Sequence, residues 1–339
     1  MKLVSYTAKG DRPRHRRLGL ALADGVIADA RAGYARMLWE AGDQQAEAIA
    51  AIRMPTEAAA LLAGGPVALA EATRTAGWLP GLRADHPDAR GLDDEPLFLH
   101  IDDAHLFAPV TPSKVIAAGR NYGAHKAEMS DTTLPYKLPS TWFKGASAVI
   151  GPHDDIVHPS ATQRLDYETE LAVVIGQRCK NVPREKAMDM VAGYLVANDV
   201  TARDVGRMER AEGNRLLAKS FDGFCPLGPC IVTADEIKDP NNLNLATRVN
   251  GNVRQDANTS DMIWKLTDII AYVSQIELLP GDVITTGSPE GVAQGGGGQP
   301  DKFLKPGDIL ESEIEGIGSL RNQIIEDPLP PSWDWDSIR

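Results

Sequence analysis

The stretch LDYETELAVVIG, residues 165–176, sets Asp166, Glu168 and Glu170 two residues apart. On a strand that spacing turns all three carboxylates to one face. The residues that follow, Leu171 to Ile175, are apolar at every position, as in a strand buried on both faces. A buried, unpaired carboxylate is costly and takes up a proton unless something neutralises it. Two readings meet this pattern. Either the acids lie outside the core and face solvent, or a divalent cation holds them. Carboxylate oxygens suit Mg²⁺ or Mn²⁺, with Ca²⁺ a further candidate, and not Zn²⁺.

A second apolar run, in GYLVANDVTARD (193–204), is interrupted at Asn198–Asp199. Asp199 is there either a strand-end turn residue or a further ligand. Two buried-looking strands that each carry acids at one end favour a shared cation. LLAKSFDGF (216–224) sets Lys219 among apolar residues. It reads as a snorkelling surface lysine or as a partner for a substrate carboxylate or an enolate oxygen. His125 and Glu128 are three residues apart, on one helix face, and can hydrogen-bond there. Such a pair is a solvated surface pair or an acid–base pair.

These residues need a frame. MKLVSYTAKG and HRRLGLALADGVIADA read as short strands with turns at Gly10–Asp11 and Asp24–Gly25. Residues 31–80 are Ala-rich with helical periodicity through Tyr34, Met37, Leu38, Ala48, Ile49 and Ile52. A small α+β N-terminal domain over 1–105 follows, then a catalytic domain over 106–325 and a tail over 326–339. The second domain is mainly short strands, with SKVIAAG, TELAVVIG, CPLGPCIVT, ATRVNG, DVITTG and DILESEIEGIG as examples. Two helices are expected in it. Pro183 opens PREKAMDMVAGY, with Ala187, Val191 and Tyr194 on one face. Ser260 caps DMIWKLTDIIAYVSQI, with Ile263, Leu266, Ile270 and Val273 in register. GGGG at 295–298 reads as a flexible loop and not a phosphate loop, because no Lys–Ser/Thr pair follows.

The chain's 339 residues are long for one core, which is why two units are expected. Its net charge of -12 argues against a nucleic-acid partner. Three cysteines without a CxxC pair, no apolar leader and no long apolar run point to the cytoplasm and away from a membrane.

In order along the chain, AGRNYGAHKAEM (118–129), DYETELAVVIG, NDVTARD, LLAKSFDGFCPLGP, VNGNVRQDANTSDMIW and PGDVITTGSPEGV resemble the fumarylacetoacetate hydrolase superfamily. KFLKPGDILESEIEGIGSLRN follows them, and together they cover about residues 105–325. The N-terminal unit resembles the extra domain of some longer members. The resemblance implies an α+β, mainly β fold, a mixed β-sandwich roll with the site at its mouth, and a homodimer. It implies that Glu168, Glu170 and Asp199 ligate Mg²⁺ or Mn²⁺, with Asp166 acidic but not a ligand.

The same resemblance makes His125 and Glu128 a lid dyad, in which Glu128 orients the imidazole and His125 takes a proton from water. The following SDTTLPYKLP is then a segment that closes over substrate and excludes water. Lys219 stabilises a developing enolate, and Arg203, Tyr122 and Ser288 contact substrate. Two departures bear on substrate choice: Gly206 stands where the family often has Gln, and Ser288 where it often has Thr. The implied reaction is hydrolysis of a C–C bond in a 2,4-diketo acid, acylpyruvate-like or sugar-derived, through a metal-bound enolate. The alternatives at the same site are an oxaloacetate-like 2-oxo acid decarboxylase, an isomerase or a hydratase. A metal-stabilised binding protein without turnover fits less well, because His125, Glu128 and Lys219 are all present.

Overall fold

Three antiparallel strands open the chain, β1 (Lys2–Ala8), β2 (Arg17–Ala21) and β3 (Val26–Asp29). The computed structural model describes residues 1–129 and 137–329, with Trp333 and Trp335 beyond them. Asp29 ends β3 and starts the next element. Its carboxylate accepts from the backbone N–H of Ala32 at 2.9 Å and so caps α1 (Ala30–Glu40). Helices α2 (Ala46–Arg53), α3 (Ala58–Ala63) and α4 (Gly65–Asp85) follow, then β4 (Phe98–His100) and β5 (Ala104–Phe107). Helix α2 buries Ala46 and Ala50 and leaves Ala48 and Ile52 exposed, which corrects the face expected from the pattern. The two small side chains are what let α2 sit close against its neighbours.

The remainder begins with β6 (Val115–Gly119), α5 (Gly123–Glu128) and β7 (Ser140–Lys144). Short β8 (Val149–Ile150), β9 (Ile156–His158) and β10 (Leu165–Asp166) lead into β11 (Thr169–Ile175) and β12 (Val191–Asn198). Then come β13 (Thr201–Ala202), α6 (Arg203–Ala211), β14 (Cys225–Thr233), β15 (Asn244–Val249) and β16 (Asn252–Asn258). Helix α7 (Leu266–Val273), β17 (Val283–Thr285), β18 (Ile309–Ile314) and β19 (Gly318–Glu326) complete the chain. The fold is α+β with mixed sheets, mainly β.

Among the described residues the main sheet has twelve strands, in the order β4-β3-β2-β1-β14-β12-β11-β17-β6-β7, with β5 on β1 and β8 on β14. The N-terminal strands thus extend the same sheet, through the pairing of β1 with β14. Residue 105, the expected domain boundary, lies within β5. A five-stranded sheet, β16-β15-β18-β19-β9, packs against the first. The expected tail starts on the last residue of β19 and lies mostly outside the described residues.

Strand β11 shows why its sequence is apolar throughout. Leu171, Val173 and Ile175 pack with Leu245, Ile314 and Leu320 of the second sheet and with Ile269 and Ile270 of α7. Ala172 and Val174 face the other way, into a cluster that includes Leu195 and Ala197 of β12. Both faces are buried, so alternation disappears.

Two expected helices differ. Residues 184–190 form a 3₁₀ helix, but Val191 to Tyr194 belong to β12, between β11 and β14. The helical spacing of Ala187, Val191 and Tyr194 is incidental, and pairing on both edges decides the outcome. Ser260 does not cap α7 either. It lies in a 3₁₀ turn, Thr259–Asp261, where the Asn258 side chain accepts from its N–H at 2.8 Å. The helix begins at Leu266, where Asp268 accepts from the N–H of Lys265 at 2.9 Å. Ile263 is outside that helix and 38% exposed, whereas Leu266, Ile270 and Val273 are buried.

Leu195 is fully buried at the centre of β12. Leu195→Ala is expected to destabilise the fold by about 2–5 kcal/mol. Urea unfolding checks this as a lower midpoint at unchanged slope.

Candidate metal centre and active site

Thr169 of β11 lies opposite Asn198 of β12, and Glu170 opposite Ala197. That register brings Glu170 and Asp199, the residue after β12, to one edge of the same strand pair. Glu168 reaches this edge by a break in the ladder. The strand ends at Asp166 and resumes at Thr169, so the acids do not lie on one continuous strand as expected. The Asn198 side chain accepts from the N–H of Glu168 at 2.9 Å, and the N–H of Asp199 donates to the Glu168 carbonyl at 2.8 Å. These two bonds satisfy the backbone at the break and hold the Glu168 side chain inward.

Glu168, Glu170 and Asp199 are all buried, and each offers a carboxylate oxygen within 4.8 Å of the others. Cations surround them. Lys219 Nζ donates to Glu168 Oε2 and Asp199 Oδ2, each at 2.5 Å. Arg203, the first residue of α6, donates from Nε to Asp166 and from Nη2 to Glu168, each at 2.7 Å. Lys144, the last residue of β7, is buried and donates to Asp199 Oδ1. Sequence reasoning missed Lys144. Its one signal is a lysine closing a strand, and nothing local distinguishes that from a surface residue.

The electrostatics are uneven. Burial would raise the Glu168 carboxyl, but Arg203 and Lys219 outweigh it and hold that group well below the usual range. Glu170 is pushed well above its ordinary value, by burial first and then by Asp199 and Glu168. Thr285 and Lys219 are weak counterweights, and the Gly287 N–H donates to Oε2 at 2.8 Å. Burial opposes the charge on Lys219, yet Asp199 and Glu168 raise its pKa and keep it an ammonium ion. Four carboxylates, counting Asp166, face three cations. The residual negative charge rests on hard oxygens, so the donor set fits a divalent cation of the Mg²⁺ or Mn²⁺ type.

Asp166 is fully buried and has a different task. It accepts from Arg203 and from the N–H groups of Ala293 and Gln294 at 2.7 and 3.0 Å. The Gly-rich loop is therefore pinned to the site and is not a free connector. At its start the Gly291 N–H donates to Glu128 Oε2 at 2.6 Å. A Cβ on Gly295 would fall 1.8 Å from Glu128 Oε1, so only glycine lets the loop pack this closely.

A cavity of about 350 Å³ opens over the acids. His125, Glu168, Glu170, Arg203, Lys219 and Ser288 line it. Tyr122 lies elsewhere than expected, fully buried behind the wall, with its hydroxyl raised by burial and by the Glu170 charge. Ser288 accepts from Gln255 Nε2 at 2.8 Å. The direct His125–Glu128 hydrogen bond is not formed, which corrects that expectation. Glu128 turns to the loop instead, and His125 Nδ1 and Glu128 Oε1 are buried without a protein partner. Burial lowers the His125 pKa and raises that of Glu128. Most of SDTTLPYKLP, residues 130–136, lies outside the described residues.

The family model described as Fumarylacetoacetate (FAA) hydrolase C-terminal matches residues 114–325. The chain belongs to the fumarylacetoacetate hydrolase superfamily. Over 222 residues it is 47% identical to a human protein named Oxaloacetate tautomerase FAHD2A, mitochondrial, covering 65% of this chain and 69% of that one. Two solved structures match almost end to end. One is 5-carboxymethyl-2-hydroxymuconate delta-isomerase from Mycobacterium smegmatis, at 30% identity, TM-score 0.67, covering 96% of this chain and 100% of that one. The other is maleylpyruvate hydrolase from Sphingobium sp. SYK-6 with manganese(II) and pyruvate, at 28% identity, TM-score 0.66, covering 96% and 99%. Among the described residues no helix is long and apolar enough to cross a membrane.

A cation that binds only the folded site adds about 2.7 kcal/mol of stability at a hundred times its Kd. Mg²⁺ or Mn²⁺ is therefore expected to raise the melting temperature of the metal-free protein. Glu170→Gln should abolish that rise without lowering the metal-free melting temperature, since the amide resembles the neutral carboxyl that burial favours there. Thermal melts with and without metal check both points.

Proposed function

We propose that the protein is a divalent-metal-dependent hydrolase that cleaves the C–C bond of a 2,4-diketo acid in the cytoplasm. The reading rests on one observation: His125 lines the cavity over the acids, and its Nδ1 is buried with no protein partner. Buried polar atoms need hydrogen bonds, and hydrolysis needs a positioned water, which this nitrogen is suited to hold. Glu168, Glu170 and Asp199 would hold the cation, which when bound supplies Lewis-acid polarisation of the substrate carbonyls.

Burial keeps the His125 imidazole neutral near pH 7, so it can take a proton from that water. The hydroxide oxygen adds to the distal carbonyl carbon, and the bond from that carbon to the methylene carbon breaks. The bonding electrons pass to the methylene carbon as an enolate, and the distal fragment leaves as a carboxylic acid. The Lys219 ammonium faces the charge as it develops. The proton held by His125 returns to the methylene carbon and gives pyruvate, so water and diketo acid balance against acid and pyruvate. Arg203 has two of its nitrogens committed to Asp166 and Glu168, so its main task is to orient Glu168. Ser288 is left to contact substrate at the wall.

A second reading is keto–enol tautomerisation of oxaloacetate, favoured by the name of the 47% identical human relative. It uses the same proton transfers without adding water. Pyruvate release from a diketo acid panel, run beside enol–keto interconversion of oxaloacetate, separates the two. The hydrolase reading expects metal-dependent pyruvate together with an equal amount of carboxylic acid. Interconversion without pyruvate from any diketo acid selects the tautomerase.

His125→Ala is expected to lower kcat about 10²–10⁴-fold, measured as pyruvate release. The base works in its neutral form and burial lowers its pKa. The acid limb of kcat/KM therefore falls below about pH 6.5, the ordinary imidazole value. A limb above that value contradicts the assignment.

A further inference from the structure

We propose that Arg207, Arg210 and Arg215 form an anion subsite at the solvent side of the cavity, which binds a second, distal carboxylate of the substrate. The inference rests on the reading of the inner site as one for a 2-oxo acid, and it narrows the substrate to a dicarboxylate. All three arginines line the same cavity as Glu168 and Glu170, but they are exposed where the acids are buried. Arg207 and Arg210 follow Arg203 along α6 by four and seven residues, roughly 6 and 10 Å of helical rise. That is the separation between the two ends of a short diacid.

No carboxylate among the described residues forms an ion pair with Arg207, Arg210 or Arg215. Of the three nearest in sequence, exposed Glu212 pairs with none of these arginines, and Glu209 and Asp204 are committed elsewhere. Glu209 accepts from the N–H groups of Leu216, Leu217 and Ala218 at 3.1, 2.7 and 3.0 Å. Asp204 accepts from the Thr162 hydroxyl and from the N–H of Gln163 and Val205. The arginines instead crowd one another. The Arg210 pKa is lowered by burial and then by Arg215, Arg203, Arg120 and Arg207. In a chain of net charge -12, a concentration of cations on one cavity wall calls for an anionic occupant.

Gly206 makes the arrangement possible. A Cβ there would lie 3.1 Å from the Ala218 Cβ and in van der Waals contact with Arg210 Nη1 at 3.4 Å, so a longer side chain would compete with the guanidinium for this space. The amide that the family often carries at this position is thus replaced by a charge from the next turn. Arg215 is steadied over the Trp142 ring at 5.2 Å and donates to Ser140 Oγ at 3.4 Å.

The test is calorimetric binding to the metal-loaded full chain of 2-oxoadipate and of its distal monomethyl ester, neither of which can undergo the proposed cleavage. Wild type should bind the diacid about tenfold or more tightly than the ester. Arg210→Gln should bring the two affinities together while leaving ester binding unchanged, and Arg207→Gln/Arg215→Gln should do the same. Equal affinities in wild type, or a preference that survives both variants, overturns the subsite. A preference intact in wild type and lost in the variants, in a protein that releases no pyruvate from any diketo acid, keeps the subsite and removes the hydrolase.

Discussion

The burial of three carboxylates at the end of a strand pair is the constraint on which the rest of the site depends. A single uncompensated charge at that depth costs several kcal/mol. Here Glu168, Glu170 and Asp199 are held together by the register of β11 and β12 and by the Asn198 bonds across the ladder break. Apolar packing on both faces of β11 fixes the register, so the core determines where the charges stand. Lys144, Lys219 and Arg203 offset most of that charge. The imbalance remaining at Glu170 is what a bound cation would neutralise.

The same constraint organises the surroundings. Arg203 ties Glu168 to Asp166, and Asp166 ties both to the loop that carries Ala293 and Gln294. That loop returns against Glu128, so the acidic cluster and the helix that carries His125 and Glu128 share one backbone support. A change at either would be felt at the other through a chain of hydrogen bonds. Helix α6 adds polarity to the cavity: its first residue serves the acids and its later arginines serve the opening. The site is therefore negative at depth and positive towards solvent, an arrangement suited to a substrate that chelates a cation at one end and carries charge at the other.

Much of this was legible in the sequence, for physical reasons. The acids stood out because they adjoin uninterrupted apolar runs, where an unneutralised charge is not tolerated. Lys219 stood out for the same reason. The helix expected over 183–194 is mostly a 3₁₀ turn and a strand, and the one expected over 261–276 is shorter, because apolar residues of a strand or a 3₁₀ turn can fall at helical spacing while long-range pairing decides the structure. Lys144 and Asn198 were missed because their partners lie 55 and 30 residues away. The donors on Glu170 and Glu128 are backbone N–H groups of glycines, which no side-chain pattern reveals. Arg207 and Arg210 share a helix with Arg203, yet only the cavity shows that they face a common space.

The most direct test of the central claim is anomalous diffraction at the manganese edge from crystals of the Mn²⁺-loaded protein. The account predicts one strong peak per chain, within coordination distance of carboxylate oxygens from Glu168, Glu170 and Asp199, with the Lys219 ammonium moved aside. A peak elsewhere, or Lys219 still bridging Glu168 and Asp199 with no manganese beside them, would contradict it.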